Sequence, residues 1–309
     1  SLVSADRLTK FAWFVLAYNV AVILFGAVVR ATGSGAGCGS DWPTCRGGLV
    51  PLSGTAETAI EFTHRATSGI ALVLVFTLLV LVLRSRAKGD VVRVAAIAAG
   101  AFVVGEALVG AMLVLFEWVE DDQSTGRAVS IAVHLVNTFL LLGALSLTAW
   151  WLGDGSRPRR PFPARERRLI GWATAGLVLV GAAGAITALG DTLFPAESIF
   201  EGIRDDFTGA FLVRLRWIHP VVAVAVGVLI AWTAPRYAHY GGRVQRLGAL
   251  LVWLVVVQLV AGVVNVLLLA PVWMQIVHLL LADAMWIAFV LFSIEAVVAA
   301  QREPSAAPR

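Results

Sequence analysis

Histidine and cysteine are scarce in this chain, which has five histidines and two cysteines in 309 residues. The cysteines, Cys38 and Cys45, bound the segment Cys-Gly-Ser-Asp-Trp-Pro-Thr-Cys. Four of the histidines lie within long apolar segments: His64, His134, His219 and His278. Imidazole and thiol groups bind metals and carry acid–base and redox chemistry. These few side chains are therefore the first candidates for a functional site.

The amino-acid composition indicates the class of protein in which these histidines and cysteines are placed. Hydrophobic residues make up 59% of the chain, charged residues 14%, and the mean hydropathy is +0.84. Soluble proteins average roughly 45–50% apolar and about 25% charged residues. The chain is therefore predicted to be an integral membrane protein. Its high hydrophobicity excludes disorder, and its basic residues lie in short clusters between apolar segments, which argues against a nucleic-acid partner.

The apolar segments predict eight transmembrane helices, since each span needs about 20 mostly apolar residues. Their continuous length favours helices over the short alternating strands of a membrane barrel. The first is too long for a signal peptide and is followed by no small-residue cleavage site. The predicted spans are residues 11–31, 57–83, 94–116, 128–152, 169–190, 213–234, 247–270 and 271–298.

Lysine and arginine are distributed unequally between the two sides of these spans. The N-terminus, the loops 84–93, 153–168 and 235–246, and the tail hold 17 of the 24 basic residues, whereas the alternate loops hold three. Basic residues concentrate on the cytoplasmic side. Both termini are therefore predicted to be cytoplasmic in the plasma membrane, and the basic linker is expected to contact anionic lipid.

The chain also contains an internal duplication of four spans. His64 and His219 correspond in spans two and six, Glu106 and Gln258 in spans three and seven, and His134 and His278 in spans four and eight; the order is the same in both halves. Four spans per half give both halves the same direction. The predicted fold is therefore all-α, with two tandem four-helix bundles related by a pseudo-twofold axis along the membrane normal.

All four histidines are expected at one depth, roughly 9–11 Å below the outer rim of the membrane. Four at the same level, two per half, are poorly explained as isolated packing residues. Zinc usually needs three or four protein ligands, whereas haem iron needs only one or two axial ligands. The pattern thus predicts one haem pocket in each half, with nearby arginines as partners for the propionates: Arg30 and Arg65 in the first half, Arg214 and Arg216 in the second.

The two predicted pockets differ at one equivalent position. Glu61 precedes His64 by three residues, whereas Arg216 precedes His219 by three. Ionisable groups inside a membrane are functional candidates, and a carboxylate here is suited to accept a proton. The first half is therefore predicted to be the reactive one. Glu57 is interpreted as a helix-capping rim residue, and Glu106 either as an interhelical hydrogen-bonding residue or as part of a proton path or haem contact.

The cysteine pair lies in the first outer loop, where a disulfide is favoured over two free thiols. It either braces the loop or takes part in redox chemistry near a cofactor. A zinc site is disfavoured, because the loop provides only two sulfur ligands and no histidine.

Together these motifs resemble the haem A synthase family. The resemblance is carried by Gly26-Ala-Val-Val-Arg30-Ala-Thr-Gly33-Ser-Gly35, by Cys38 to Cys45 with Asp41-Trp42-Pro43-Thr44 between them, by Glu61-Phe-Thr-His64-Arg65, and by Gln258, Gly262, Asn265 and His278. It covers nearly all of both halves. The joined glycine–arginine–cysteine and Glu-x-x-His-Arg stretches make it specific. At Glu106 this chain departs from many relatives, which have glutamine.

The resemblance implies an oxidoreductase that converts a ring methyl of haem o to a formyl group, through hydroxymethyl and gem-diol intermediates. The product is haem a for terminal cytochrome oxidase. It implies that His64 and His134 bind the substrate haem iron, that Glu61 is the essential carboxylate, and that His219 and His278 are the axial ligands of haem b. It also implies a disulfide between Cys38 and Cys45.

This interpretation divides the chain into four regions. Residues 1–152 form the catalytic half, 153–168 the cytoplasmic linker, 169–300 the haem b half and 301–309 a cytoplasmic tail. Besides haem o and membrane lipid, candidate partners are haem O synthase (protohaem farnesyltransferase) and an electron donor or acceptor. The alternatives are a non-catalytic dihaem electron-transfer protein of the b type, and a transporter or haem chaperone, which would need broken helices or a polar midplane path.

Overall fold

A computed structural model describes residues 4–51, 54–159, 161–209 and 211–302. Most of the predicted tail 301–309 and Arg160 of the predicted linker lie outside the described residues. Within the described part the chain is built of helices, as predicted. The helices are α1 (Ala5–Ala31), α2 (Ala56–Ser85), α3 (Val91–Leu115), α4 (Thr125–Leu152), α5 (Ala164–Leu193), α6 (Ile199–Thr208), α7 (Phe211–Arg214), α8 (Ile218–Thr233), α9 (Gly242–Leu267) and α10 (Val272–Arg302).

Polar caps set the starts of the first four helices, before the apolar runs from which the spans were predicted. The side chains of Ser4, Thr55, Asp90 and Ser124 accept hydrogen bonds from backbone N–H groups in the first turns of α1 to α4. Such caps satisfy donors that have no partner within the helix. Hydropathy marks the membrane-embedded part of each helix, and the caps lie beyond it.

The sixth span is not the uninterrupted helix that was predicted. It consists of α7, a turn at residues 215–217, α8 and a 3₁₀ segment, Ala234–Tyr240. Pro220 explains the interruption, because proline has no N–H and its ring clashes with the carbonyl four residues earlier. The backbone N–H of His219 instead donates to the carbonyl of Arg216, 3.2 Å away. The break therefore lies near the start of the span, beside the candidate ligand His219.

Two groups of four spans can be recognised from the helix contacts. Helices α1, α2, α3 and α4 pack in a ring, and α5, α8, α9 and α10 do so as well. The groups meet mainly where α4 contacts α5 and α10, and where α1 contacts α10. This is the arrangement that two tandem bundles require. The twofold axis itself stays a prediction.

Eight segments of the described chain are long and apolar enough to cross a membrane. Each contains most or all of one predicted span, and the protein is a multi-pass membrane protein. Its outward surfaces expose large apolar side chains, as lipid contact requires; examples are Val73, Val94, Trp172, Val228 and Trp253. Helix α6, which the sequence did not predict, lies in the outer loop between α5 and α7.

Candidate functional site

The loop between α1 and α2 is fastened to the start of α2. Cys38 and Cys45 form a disulfide, and the backbone N–H of Cys38 donates to Oε2 of Glu61 over 2.6 Å. The hydroxyl of Thr58 donates to the carbonyl of Gly37 over 2.7 Å. Only glycine fits at position 37, because a Cβ there would lie 2.4 Å from backbone atoms of Glu57. The predicted disulfide therefore directly adjoins the predicted catalytic carboxylate.

Arg65 completes this attachment from the next turn of α2. Its guanidinium donates to the Glu61 carboxylate and also to the carbonyls of Asp41 (2.5 Å) and Thr44 (2.6 Å). Glu61 is only 3% exposed, and both of its oxygens accept hydrogen bonds. Arg65 thus uses most of its five donors on the protein itself. Contact between Arg65 and a propionate stays a prediction.

His64 lies against the outer part of α1. A Cβ on Gly26 would be 3.1 Å from Cε1 of His64 and 3.3 Å from its Nε2, and the ring of Phe25 meets the imidazole edge-on at 5.6 Å. Nδ1 of His64 is buried and has no hydrogen-bond partner among the described residues. The imidazole is therefore enclosed by helices while its nitrogens stay uncommitted to the protein.

His134 faces α3 and approaches the carboxylate of Glu106. Its Nδ1 lies 3.1 Å from Oε2 of Glu106. The structure therefore places an acidic side chain beside His134. The pairing of His134 with His64 at one haem iron stays a prediction.

His219 and His278 meet directly in the second half. Their ring centres are 6.3 Å apart and the ring planes are nearly perpendicular, at 83°. Nδ1 of His219 lies 3.1 Å from the carbonyl of Val180, so this nitrogen is engaged with the backbone and Nε2 is left for another partner. Nε2 of His278 lies 3.3 Å from the side-chain nitrogen of Gln258.

This pair fits the two axial positions of a haem. Two metal–imidazole bonds of about 2 Å each, plus about 1 Å from each nitrogen to its ring centre, place the ring centres about 6 Å apart. The backbone contact at Nδ1 of His219 is the kind of second interaction that fixes the tautomer of a ligand. Among the described residues, no group of three or more histidine, cysteine or acidic side chains is placed to hold a metal ion by itself.

Two of the three remaining predicted arginines, Arg216 and Arg30, have protein partners on the second half. Arg216 forms ion pairs with Asp191 and Asp206, each at 2.9 Å. Arg30, on α1, donates to the carbonyl of Ala188 and the hydroxyl of Thr192 on α5, both at 2.6 Å. It also donates to Oε1 of Gln275 on α10 over 2.8 Å, and so joins the outer ends of the two groups of helices. Arg214 is exposed. Propionate binding by these residues stays a prediction.

Sequence reasoning missed the glycines that make room for the histidines. A Cβ on Gly184 of α5 would lie 2.8 Å from Cε1 of His219, and one on Gly262 of α9 would lie 3.3 Å from Cε1 of His278. Gly184 and Gly26 are each followed by alanine and are at equivalent places in the duplication. Comparing glycines between the two halves would have found this signal.

Replacing Gly184 with valine is expected to lower the haem content of the second half. The added carbons displace the His219 ring, and overpacking costs about 1–3 kcal/mol, equivalent to about a 5- to 150-fold loss of affinity. Haem bound per purified protein measures the effect. Gly171→Val, on the same helix but facing open space, is the matched control. Equal haem content in both variants would contradict close packing at Gly184.

The fold and site together define a class: a multi-pass helical membrane protein with four histidines on its membrane-spanning segments, of which His219 and His278 lie ring to ring. Comparison with known proteins narrows this class. Residues 9–290 match the family model described as "Cytochrome oxidase assembly protein". The chain is 28% identical to "Heme A synthase" of Exiguobacterium sibiricum over 76% of this chain and 74% of that protein. It is also 28% identical to "Heme A synthase" of Halalkalibacterium halodurans, over 86% and 89%.

The chain belongs to the haem A synthase family, as its motifs indicated. A higher identity, 48%, is found with a Thermus thermophilus protein named "Protoheme IX farnesyltransferase". That match covers 94% of this chain but 48% of the relative. The chain thus spans about half the length of the first curated relatives that it matches.

Proposed function

We propose that the protein is a haem A synthase, which oxidises a ring methyl of haem o to a formyl group. One observation carries the proposal beyond family membership: the two histidine pairs differ at equivalent positions. A buried carboxylate, Glu61, precedes His64, whereas the ion-paired Arg216 precedes His219. A protein that only holds two haems does not need different side chains beside its two ligands. An enzyme with one reacting haem and one resident haem does need them, because only the reacting haem requires a proton acceptor.

Substrate haem o binds in the first half in this proposal, with His64 and His134 at its iron. Resident haem b binds in the second half between His219 and His278. When bound, haem b supplies one-electron transfer. The protein places the histidines, encloses them among helices and keeps charged groups at the outer end.

The reaction requires the removal of protons as well as electrons. Two hydroxylations convert the methyl to a gem-diol, and loss of one water leaves the formyl group. With water as the oxygen source, R–CH₃ plus H₂O gives R–CHO, four protons and four electrons, and the electrons leave to an acceptor outside the chain. Glu61 accepts protons as C–H bonds break, because its Oε2 accepts one hydrogen bond, from the Cys38 N–H, and keeps a lone pair, whereas Oε1 accepts two hydrogen bonds from Arg65.

The sites lie toward the outer face of the cell membrane in this proposal, and both termini are cytoplasmic. The basic loops that support this orientation include the turn between α2 and α3, where Arg93 donates to the carbonyls of Leu83 and Arg86. The disulfide in the first outer loop supports the same orientation, since disulfides persist outside the cytoplasm.

The relative named for farnesyl transfer suggests a partner and also a second candidate function. This chain matches about half of that relative, so transfer of the farnesyl group is assigned to the part that this chain does not match. A haem O synthase would then supply the substrate to this protein. The competing hypothesis is that the matched part itself transfers the farnesyl group.

Expression in two bacterial hosts distinguishes these functions. In a host that makes haem o but lacks its own haem A synthase, extracted haems identified by mass are expected to include haem a or its hydroxymethyl intermediate. In a host without haem O synthase, only haem b is expected. Haem o appearing in the second host would identify a farnesyltransferase. Absence of any oxidised haem in the first would favour the dihaem electron-transfer alternative.

A further inference from the structure

Glu106 is the acidic side chain that the proposed chemistry has not used. It lies in the middle of α3, and its Oε2 is 3.1 Å from Nδ1 of His134 on α4. Nδ1 is buried and makes no well-aligned hydrogen bond to any described residue, so Oε2 of Glu106 approaches it closely without being aligned with it. The carboxylate is therefore the polar neighbour of this ring nitrogen.

Side chains from α4 fix the orientation of that carboxylate. Asn137 donates from Nδ2 to Oε1 over 2.6 Å, and Thr138 donates from its hydroxyl to Oε2 over 3.0 Å. Asn137 is itself held by the carbonyl of Phe102, at 2.8 Å. Gly105 leaves the space for Asn137, since a Cβ there would lie 2.7 Å from Oδ1. Glu106 is thus held between two donors with one oxygen toward the imidazole.

The second half has a different partner at the corresponding position. Gln258 of α9 faces His278 of α10, but it is a neutral amide, and its Nε2 lies 3.3 Å from Nε2 of His278. Nδ1 of His278 is buried without a hydrogen bond among the described residues. Two corresponding pairs of helices therefore give their histidines different neighbours: a carboxylate at Nδ1 in the first half and an amide at Nε2 in the second.

We propose that Glu106 is a positioning residue that accepts the Nδ1–H of His134 and directs Nε2 toward the iron of the substrate haem. A carboxylate is a stronger acceptor than an amide oxygen. A carboxylate–histidine–metal arrangement fixes the ring and raises the basicity of the ligand. His134 is then a stronger electron donor than His278, which has no carboxylate partner. This inference rests on the proposed function, because it assumes that haem o is bound at His134.

Redox titration of the purified protein tests this role. Wild type and Glu106→Gln are expressed with a haem o supply, and the midpoint potentials of both haems are followed by their absorption spectra. Weaker donation from His134 destabilises the ferric iron more than the ferrous iron, so Glu106→Gln is expected to raise the potential of the haem in the first half. Haem a formation is expected to fall about 10-fold, as for loss of other ligand partners.

Haem b in the same molecule is the control: its retention shows that the variant is folded, and its unchanged potential shows that the substitution affects only the haem in the first half. The potential and spectrum of haem b are expected to stay unchanged in Glu106→Gln. Thr138→Val, which removes one of the two donors that orient the carboxylate, is expected to give a smaller shift in the same direction. This second variant provides the test if Glu106→Gln does not accumulate.

Three results would overturn the inference. The first is that the midpoint potential of the haem in the first half is the same in Glu106→Gln as in wild type. The second is that the potentials of both haems shift equally, and the third is that wild type binds no haem besides haem b. Haem a formation by wild type shows whether a negative result contradicts the role of Glu106 or the proposed function. If wild type makes haem a and neither variant shifts a potential, only the role of Glu106 fails. If the predicted shift occurs but wild type makes no haem a, the proposed activity fails and the role of Glu106 stands.

Discussion

Glu61→Gln is expected to abolish haem a formation while leaving the protein folded and haem b bound. Glutamine has nearly the same size, and its one acceptor oxygen can keep the hydrogen bond from the Cys38 N–H. Its amide nitrogen replaces the oxygen that accepts from Arg65, while Arg65 still binds the carbonyls of Asp41 and Thr44 and so keeps the loop attached. What is lost is the charge and the capacity to take a proton beside the reacting haem. Removing a general base typically costs about 10²- to 10⁴-fold in rate.

The measurement is the ratio of haem a to haem o in extracts of cells that supply haem o. Glu57→Gln is the matched control, because Glu57 lies one turn further out on the same helix and is exposed. It is expected to retain wild-type activity. Wild-type haem a levels in Glu61→Gln would refute the proton-accepting role, and equal losses in both variants would point to a general effect on the outer end of α2.

Arg65 has a different expected importance from Glu61, although the two are in contact. Its guanidinium binds the Glu61 carboxylate and two carbonyls of the disulfide loop. Its contribution is therefore to hold Glu61 and the loop in place. The short motif Glu-x-x-His-Arg thus contains the proposed proton acceptor, a candidate ligand and a residue that holds the proposed proton acceptor in place.

The fold was predictable because its main determinants are local. Apolar length fixed the number of spans, and each of the eight has a matching helical segment. The limits of prediction came from features that hydropathy does not measure. Pro220 interrupts the sixth span through backbone geometry, and α6 is a short helix with exposed Phe200 and Phe207, whose apolar content is too small to indicate a span.

The site was predictable in its histidines but not in its hydrogen bonds. Depth and duplication predicted that the histidines would pair as haem ligands; the ring centres of His219 and His278 lie 6.3 Å apart, and haem binding by this pair stays a prediction. By contrast, Arg30 was assigned to the first half from its position in the chain, yet its hydrogen bonds reach Thr192 and Gln275. Contacts between residues so far apart in the chain depend on how helices pack, which a single sequence does not specify.

His278→Ala is expected to eliminate the spectrum of a low-spin haem with two imidazole ligands. The ring centres of His219 and His278 lie 6.3 Å apart, a separation that suits the two axial ligands of one haem, and in the proposed function alanine leaves one ligand and a cavity on α10. Absorption and electron paramagnetic resonance spectra of the purified protein report the change. His239→Ala is the control, since His239 lies in the 3₁₀ segment at the other end of its span.

The comparison with His134→Ala makes this experiment informative about both halves. If each half holds its own haem, His278→Ala loses the haem b signal, whereas His134→Ala keeps it and loses the haem o bound in the first half. A haem shared between the halves would instead respond to both substitutions alike. Retention of the two-imidazole spectrum in His278→Ala would assign the ligand to another residue. Since catalysis and resident haem are proposed for different halves, only their independent response would establish that division.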